Sequence, residues 1–248
     1  MKILVSNDDG IYSPGIQILA KRLMQLGDVY VIAPDRERSA ASHSLTLDRP
    51  LLVEEIKERM FSVNGTPTDC VSIGVKGILK ERPDLVVSGI NKGGNLGDDI
   101  TYSGTVSAAI EGTLLGIPSM AVSLVAWEDF LFATAAEYAA VLAGRIGREG
   151  LPKDTLLNIN VPNLRLEDVK GMKVTRQGKR TYLDEAMEMV DPRGKKYYWV
   201  GGGDPVWEPG DDTDYAAVSS GHVSVTPLHL DLTNFSALEE IRGWKELQ

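Results

Sequence analysis

What this chain of 248 residues lacks narrows its class before any motif is read. It carries one cysteine, Cys70, so no internal disulfide can form. No apolar run reaches the ~18 residues that a membrane-spanning helix needs. The opening segment lacks a secretory-signal pattern, because Lys2 and a few apolar residues run straight into Asn7-Asp8-Asp9. These absences set the expectation of a cytoplasmic protein with no membrane partner. Positive charge is also scarce: 26 Lys and Arg stand against 35 Asp and Glu, and the net charge of −9 disfavours a nucleic-acid polymer as partner. An acidic protein that handles a small anion needs local compensation, which a bound divalent cation would supply.

Several familiar motifs are missing too. The first strand is not followed by Gly-x-Gly-x-x-Gly, and metal-free aspartates in that place would repel a dinucleotide pyrophosphate. There is no Walker A sequence and no Gly-x-Ser-x-Gly elbow. The histidines His43, His222 and His229 lie in separate segments without zinc-type spacing. A phospho-accepting receiver domain also has an acidic pair after its first strand. Here, however, the third buried strand ends in Ser88-Gly89-Ile90-Asn91, with no aspartate to phosphorylate.

Against these absences stands Ile3-Leu4-Val5-Ser6-Asn7-Asp8-Asp9-Gly10, a short buried-strand pattern stopped by turn chemistry. Two ionised carboxylates in one turn repel unless a cation sits between them, and oxygen donors of this kind suit Mg²⁺, Mn²⁺ or Ca²⁺. The same peptide is also compatible with a plain surface turn.

The pattern then alternates: a strand over 2–6, a helix over 14–26 opened by Pro14, and a strand over 28–33 ended by Pro34. Strand-like segments near 45–53 and 60–63 precede a helix of about a dozen residues opened by Thr66-Pro67-Thr68-Asp69. Further strands at 84–89, 117–123 and 156–161 alternate with helices near 104–115 and 128–147. That order predicts an α/β fold with a doubly wound, mostly parallel sheet. From about residue 170 the pattern changes to longer polar strands, with Asp191-Pro192-Arg193-Gly194 as the turn of a projecting hairpin. The segment from Gly201-Gly202-Gly203-Asp204 through Glu208, Asp211, Asp212 and Asp214 reads as a solvated acidic loop. Residues Ser236 to Leu247 read as an amphipathic helix capped by Asn234 or Ser236, docking on its own chain or on a neighbour. Cys70 reads as buried packing.

Ligands of open parallel sheets bind beyond the carboxyl ends of the strands. The loops there are Asn7-Asp8-Asp9-Gly10, Asp35 to Ser44, and the Gly/Asn-rich run from Ile90 to Ser107. The last one enters a helix at Ser103-Gly104-Thr105, which offers unpaired N–H groups and two hydroxyls for an anion, or simply a Ser/Thr cap. Lys92, Arg36 and Arg38 are placed to steer an anion or to sit in solvent.

Six ordered segments carry a resemblance: Asn7-Asp8-Asp9-Gly10-Ile11, Ala33-Pro34-Asp35-Arg36-Glu37-Arg38-Ser39-Ala40, Gly65-Thr66-Pro67-Thr68-Asp69-Cys70-Val71, Val87-Ser88-Gly89-Ile90-Asn91-Lys92-Gly93, Tyr102-Ser103-Gly104-Thr105-Val106-Ser107-Ala108-Ala109 and Val225-Thr226-Pro227-Leu228. Collinear over nearly the whole chain, they resemble the SurE family of stationary-phase survival proteins, metal-dependent acid phosphatases that act as 5′-nucleotidases. The resemblance implies one Rossmann-like α/β domain over 1–248, with a core over about 1–165, a hairpin arm and returning strands over about 170–230, and a C-terminal helix over about 234–248. It implies a homodimer or homotetramer joined through the arm and C-terminal segment.

Carried over by position, the resemblance implies Asp8, Asp9, Ser39 and Asn91 as ligands of one divalent cation per subunit, Mg²⁺ or Mn²⁺, with Asp8, Asp9 and Asn91 catalytic. It places phosphate contacts at Asn95, Ser103, Gly104 and Thr105. The implied substrate is a nucleoside 5′-monophosphate, with 3′-monophosphates and short polyphosphate as further possibilities. A non-catalytic nucleotide-sensing module with the same acidic pocket is the other class. The residue that handles protons stays open between His43 and His229. A histidine that some family members carry after a Leu-Thr pair has no counterpart, since Leu232-Thr233 is followed by Asn234-Phe235.

Overall fold

The computed structural model describes residues 1–181, 186–199 and 206–245. Strand β1 (Lys2–Ser6), helix α1 (Pro14–Leu23) and strand β2 (Asp28–Pro34) form the first βαβ unit. A short hairpin of β3 (Val53–Lys57) and β4 (Met60–Val63) follows, then α2 (Pro67–Ile73), extended by a π-helical turn over Gly74–Ile78. Next come β5 (Leu85–Lys92), α3 (Gly104–Leu114), β6 (Ser119–Val125), α4 (Phe132–Glu149) and β7 (Thr155–Pro162). The last third holds β8 (Met172–Val174), β9 (Arg180–Thr181), β10 (Met187–Val190), β11 (Lys196–Trp199), β12 (Val206–Trp207), α5 (Asp214–Ser219), β13 (Val223–His229) and α6 (Phe235–Arg242). Among the described residues no helix is long and apolar enough to cross a membrane.

Nine strands make one sheet in the order β3-β4-β2-β1-β5-β6-β7-β13-β8. From β4 to β7 the neighbours are parallel, while β13 runs antiparallel to β7 and β3 antiparallel to β4. Ile3, Leu4 and Val5 are fully buried because this strand is covered on both faces. Ile3 and Val5 join the core under α1 and α4, and Leu4 joins Cys70, Val71 and Ala108 on the other side. Each such side chain contributes about 1.5–3 kcal/mol by leaving water. Chain order runs outward in opposite directions from β1 and β5, so a crevice opens at their carboxyl ends.

The helix opened by Thr66 has the expected twelve-residue reach, with a capping box in which Thr66 and Asp69 satisfy each other's backbone N–H groups. Residues 45–52 do not form the expected strand, and pairing begins at Val53. Pro50 lacks a donor, and Thr46 gives both its N–H and its hydroxyl to the buried Asp69 carboxylate (2.9 and 2.6 Å), which ties this stretch to α2 instead of a sheet edge. The polar strands after residue 170 are shorter than expected, two to four residues each up to β12. The hairpin itself forms, with the Asp191 carboxylate accepting from the Arg193 and Lys195 N–H groups across its turn (2.8 and 2.9 Å). Helix α6 is capped by Asn234 and buries none of its residues.

The acidic segment departs most from expectation. Residues 201–204 and 246–248 lie outside the described residues. Asp212 is exposed and pairs with Arg176, but Asp214 is fully buried. Its carboxylate accepts from the N–H of Gly97 (2.8 Å), Gly178 (2.9 Å) and Tyr215 (2.8 Å). Both oxygens are therefore used as acceptors, which an amide cannot reproduce. Asp214→Asn is expected to lower unfolding free energy by about 2–4 kcal/mol in urea titrations, whereas Asp212→Asn leaves it unchanged. Equal midpoints for the two variants would return Asp214 to the solvated reading.

Candidate active site

The turn after β1 is closed by Asn7, whose Nδ2 donates to the Gly10 carbonyl (3.0 Å). It presents Asp8 and Asp9 at the crevice. The Arg38 N–H donates to the Asp8 carbonyl (2.7 Å) and brings the loop after β2, with Ser39, against this turn. On the other side β5 is irregular between Gly89 and Asn91, where its register with β6 shifts. Asn91 then follows at the crevice, and the Gly-rich loop runs on to α3.

Asp8, Asp9, Ser39, Asn91, Lys92, Asn95 and Ser103 line one cavity of about 340 Å³, together with Glu37, Ala40, Gly94, Asp99 and Tyr102. Gly104 and Thr105 stand behind this surface at the first turn of α3, and Thr105 is fully buried. The Thr105 hydroxyl donates to Asp8 Oδ1, so its side chain faces the carboxylate. A Cβ on Gly104 would lie 2.8 Å from Asp8 Cβ, so only glycine lets the helix start approach this closely. Ser103 caps the helix by accepting from the Val106 N–H (3.1 Å) and keeps its own proton to donate.

Burial pushes the Asp8 carboxyl up to about 6, against the opposing pull of the Thr105 hydrogen bond. Burial also raises Asp9, while the Lys92 charge and backbone N–H (3.3 Å to Oδ2) act the other way. Asp99 is raised by burial as well, with Arg180 donating to its Oδ2 (2.7 Å) in opposition. Among the described residues the wall thus holds four carboxylates, and Lys92 is the one basic side chain lining it.

This donor set fits a hard divalent cation. Among the described residues no three His, Cys, Asp or Glu side chains are grouped to hold a metal by themselves, so the neutral oxygens of Ser39 and Asn91 matter. Asn91 Nδ2 is spent on the Gly93 carbonyl (2.9 Å), which leaves Oδ1 as a free acceptor. Ser39 Oγ donates to Glu37 Oε1 (2.6 Å) and retains lone pairs. Two carboxylates with an amide and a hydroxyl oxygen suit Mg²⁺ or Mn²⁺ better than a thiophilic metal.

Neither candidate proton carrier lines this cavity. His43 Nε2 lies 3.2 Å from Glu111 Oε2 on α3, and His43 and His229 both line a separate, largely apolar cavity of about 740 Å³. Arg38 pairs with Asp35, Arg36 is exposed, and neither reaches the acidic wall. The residues that motif reading missed lie farther along. Ser123, Asn158, Asn160 and Asp214 grip the Gly-rich loop from β6, β7 and α5. The signal available for two of them was polarity inside the buried strand Asn158-Ile159-Asn160.

A family model described as "Survival protein SurE" matches residues 3–184. The protein called 5′-nucleotidase SurE of Geotalea uraniireducens is 54% identical over 245 residues, covering 98% of this chain and 99% of that one. Its namesake in Geobacter sulfurreducens is 55% identical, covering 98% of this chain and 94% of that protein. The crystal structure of the SurE protein from Aquifex aeolicus superposes with a TM-score of 0.90 at 50% identity, covering 98% of both chains.

A raised carboxyl pKa has a direct consequence for stability. With Asp8 at about 6 when folded and near ~3.9 when unfolded, the folded state binds its proton more tightly between those values. The Asp8 contribution to stability is therefore lost as pH rises through that window. In EDTA, Asp8→Asn is expected to melt higher than wild type at pH 7, by the equivalent of about 1–3 kcal/mol. The gap should shrink towards pH 4, and a gap independent of pH in calorimetry would refute the assignment.

Proposed function

The chain belongs to the SurE family, and from that premise we propose that it is a metal-dependent 5′-nucleotidase, a phosphoric monoester hydrolase that converts nucleoside 5′-monophosphates to nucleoside and phosphate. Nucleoside 3′-monophosphates and short polyphosphate are its further candidate substrates. The observation that carries this reading is the meeting of Asp8, Asp9, Ser39 and Asn91, from the ends of three neighbouring strands, on one cavity beside the start of α3.

Asp8, Asp9, Ser39 and Asn91 hold the cation in this reading. The chemistry that Mg²⁺ or Mn²⁺ supplies to such a site is polarisation of a phosphoryl oxygen and activation of water near neutral pH. The Asp8 and Asp9 charges balance a divalent cation, Arg180 offsets Asp99 and Lys92 offsets Glu37, so the wall carries no net charge to repel a phosphate dianion. Thr105 keeps the Asp8 carboxylate in one orientation through its hydroxyl. Asn95 and Ser103 donate to the non-bridging phosphate oxygens from the cavity wall, and Lys92 adds positive charge at its mouth. Gly104 and Thr105 contribute the positive end of α3, whose first N–H groups have no partner within the helix. Phosphoryl transfer asks a protein chiefly for positioning and electrostatic stabilisation, which these groups provide.

The same reading assigns subunit contacts to the arm and C-terminal segment. Tyr197, Tyr198 and Trp199 on the hairpin, and Phe235 and Trp244 in the C-terminal segment, expose large apolar surfaces that a homodimer or homotetramer would cover.

Phosphate release from 5′-AMP with added Mn²⁺, abolished by EDTA, is the expected result. Tight AMP binding without release would instead favour a nucleotide sensor. Asp9→Asn should lower kcat by about 10³-fold or more, the scale of losing a principal electrostatic group. Retention of near wild-type turnover would remove Asp9 from the site. For protons, His43→Ala and His229→Ala are expected to preserve the shape of the pH–kcat profile, since both imidazoles lie at the other cavity. The loss of a limb in either variant would make that histidine the general acid or base.

A further inference from the structure

Asn95 is held from three directions by buried polar groups of two neighbouring strands. Its backbone N–H donates to Asn160 Oδ1 (2.8 Å), and its carbonyl accepts from Asn158 Nδ2 (2.8 Å) and Asn160 Nδ2 (3.0 Å). Its own side-chain Nδ2 donates to Ser123 Oγ (2.7 Å). Ser123, Asn158 and Asn160 are all fully buried. Asn160 and Ser123 are register partners across β7 and β6, and Asn158 and Asn160 share one face of β7 while Ile159 enters the core on the other.

An interior strand of a parallel sheet is ordinarily apolar, and each buried carboxamide costs about 1–3 kcal/mol unless its bonds are made. The sheet does not need these side chains, because the β6–β7 and β7–β13 ladders are complete through this stretch. All of the polar reach of Asn160, and all that Asn158 satisfies, goes to the backbone of one loop residue. Asn158 Oδ1 finds no partner among the described residues, so the bond its amide makes is the one to the Asn95 carbonyl. The grip falls on a loop residue that lines the acidic cavity, and the Ser123 bond fixes the orientation of its side-chain amide.

We infer that Ser123, Asn158 and Asn160 form a positioning cradle that fixes the backbone and side chain of Asn95 for the phosphoryl group of the substrate. This rests on the reading of Asn95 as a phosphate contact. The three residues touch neither substrate nor cation and act through Asn95 alone. The energetic logic is preorganisation: a donor held in place before the substrate arrives needs no ordering when charge develops on the phosphoryl oxygens.

The test is a double-mutant cycle on the full-length protein with 5′-AMP and Mn²⁺. Ser123→Ala is expected to lower kcat/KM by about tenfold, mostly in kcat, with Mn²⁺ affinity by calorimetry unchanged and with activity restored by Ser123→Thr. In an Asn95→Ala background, Ser123→Ala should cost less than about twofold more. Asn158→Ala should behave alike and keeps the test open if one variant fails to fold. An unchanged kcat/KM in Ser123→Ala, or equal losses in both backgrounds, overturns the cradle. Wild-type kcat/KM in Asn95→Ala itself would instead reject the phosphate contact on which it rests.

Discussion

Two carboxylates stand next to each other where a fully buried strand reaches the open end of the sheet, and much of the surrounding structure answers to that charge. Burial takes Asp8 and much of Asp9 out of water and raises both carboxyl pKa values. Negative charge in such a place must be offset, and the fold brings several devices to it. The start of α3 comes as near as glycine permits, with the Thr105 hydroxyl set on Asp8. The Lys92 N–H and ammonium lie on the Asp9 side. The remaining deficit matches the charge of a divalent cation, and Ser39 and Asn91 set neutral oxygens beside it that do not make the wall more acidic. The topology makes this arrangement possible, because strand order reverses between β1 and β5 and the strand ends there are not covered by a crossover.

What was legible from sequence tracks how local the cause is. The βαβ alternation and the capping box at Thr66 are written within a few residues, and the structure reproduces them. The stretch 45–52 was misread because its apolar residues resemble a strand, whereas its backbone is held by Asp69, some twenty positions away. Asp214 departs from the pattern for the same reason: its neighbours are acidic and exposed, and two of its three partners, Gly97 and Gly178, are distant in sequence. Asn158 and Asn160 were read as strand residues and nothing more, since periodicity reports which face a side chain takes and not what it reaches.

The histidines show a different limit. Spacing placed His43 four positions after Ser39, near enough to share a site. The loop turns between them, with Ala40 and Ser42 both at positive φ, and the imidazole points to Glu111. One peptide therefore serves two cavities, the acidic one through Ser39 and the apolar one through His43. A loop with this double attachment joins the acidic cavity to α3, so its conformation bears on both.

The hydrogen bond from Gly97 to Asp214 joins residues 117 positions apart, and those that join Asn95 with Asn158 and Asn160 span more than sixty. Asp8, Asp9, Ser39 and Asn91 all lie in the first 91 residues, yet the loop beside them is secured by groups that leave the ribosome much later. A growing chain can thus hold these four residues and still lack the cavity they line. The loop gains these bonds only when the late strands join the early ones, which makes assembly of the cavity wall a long-range event in folding.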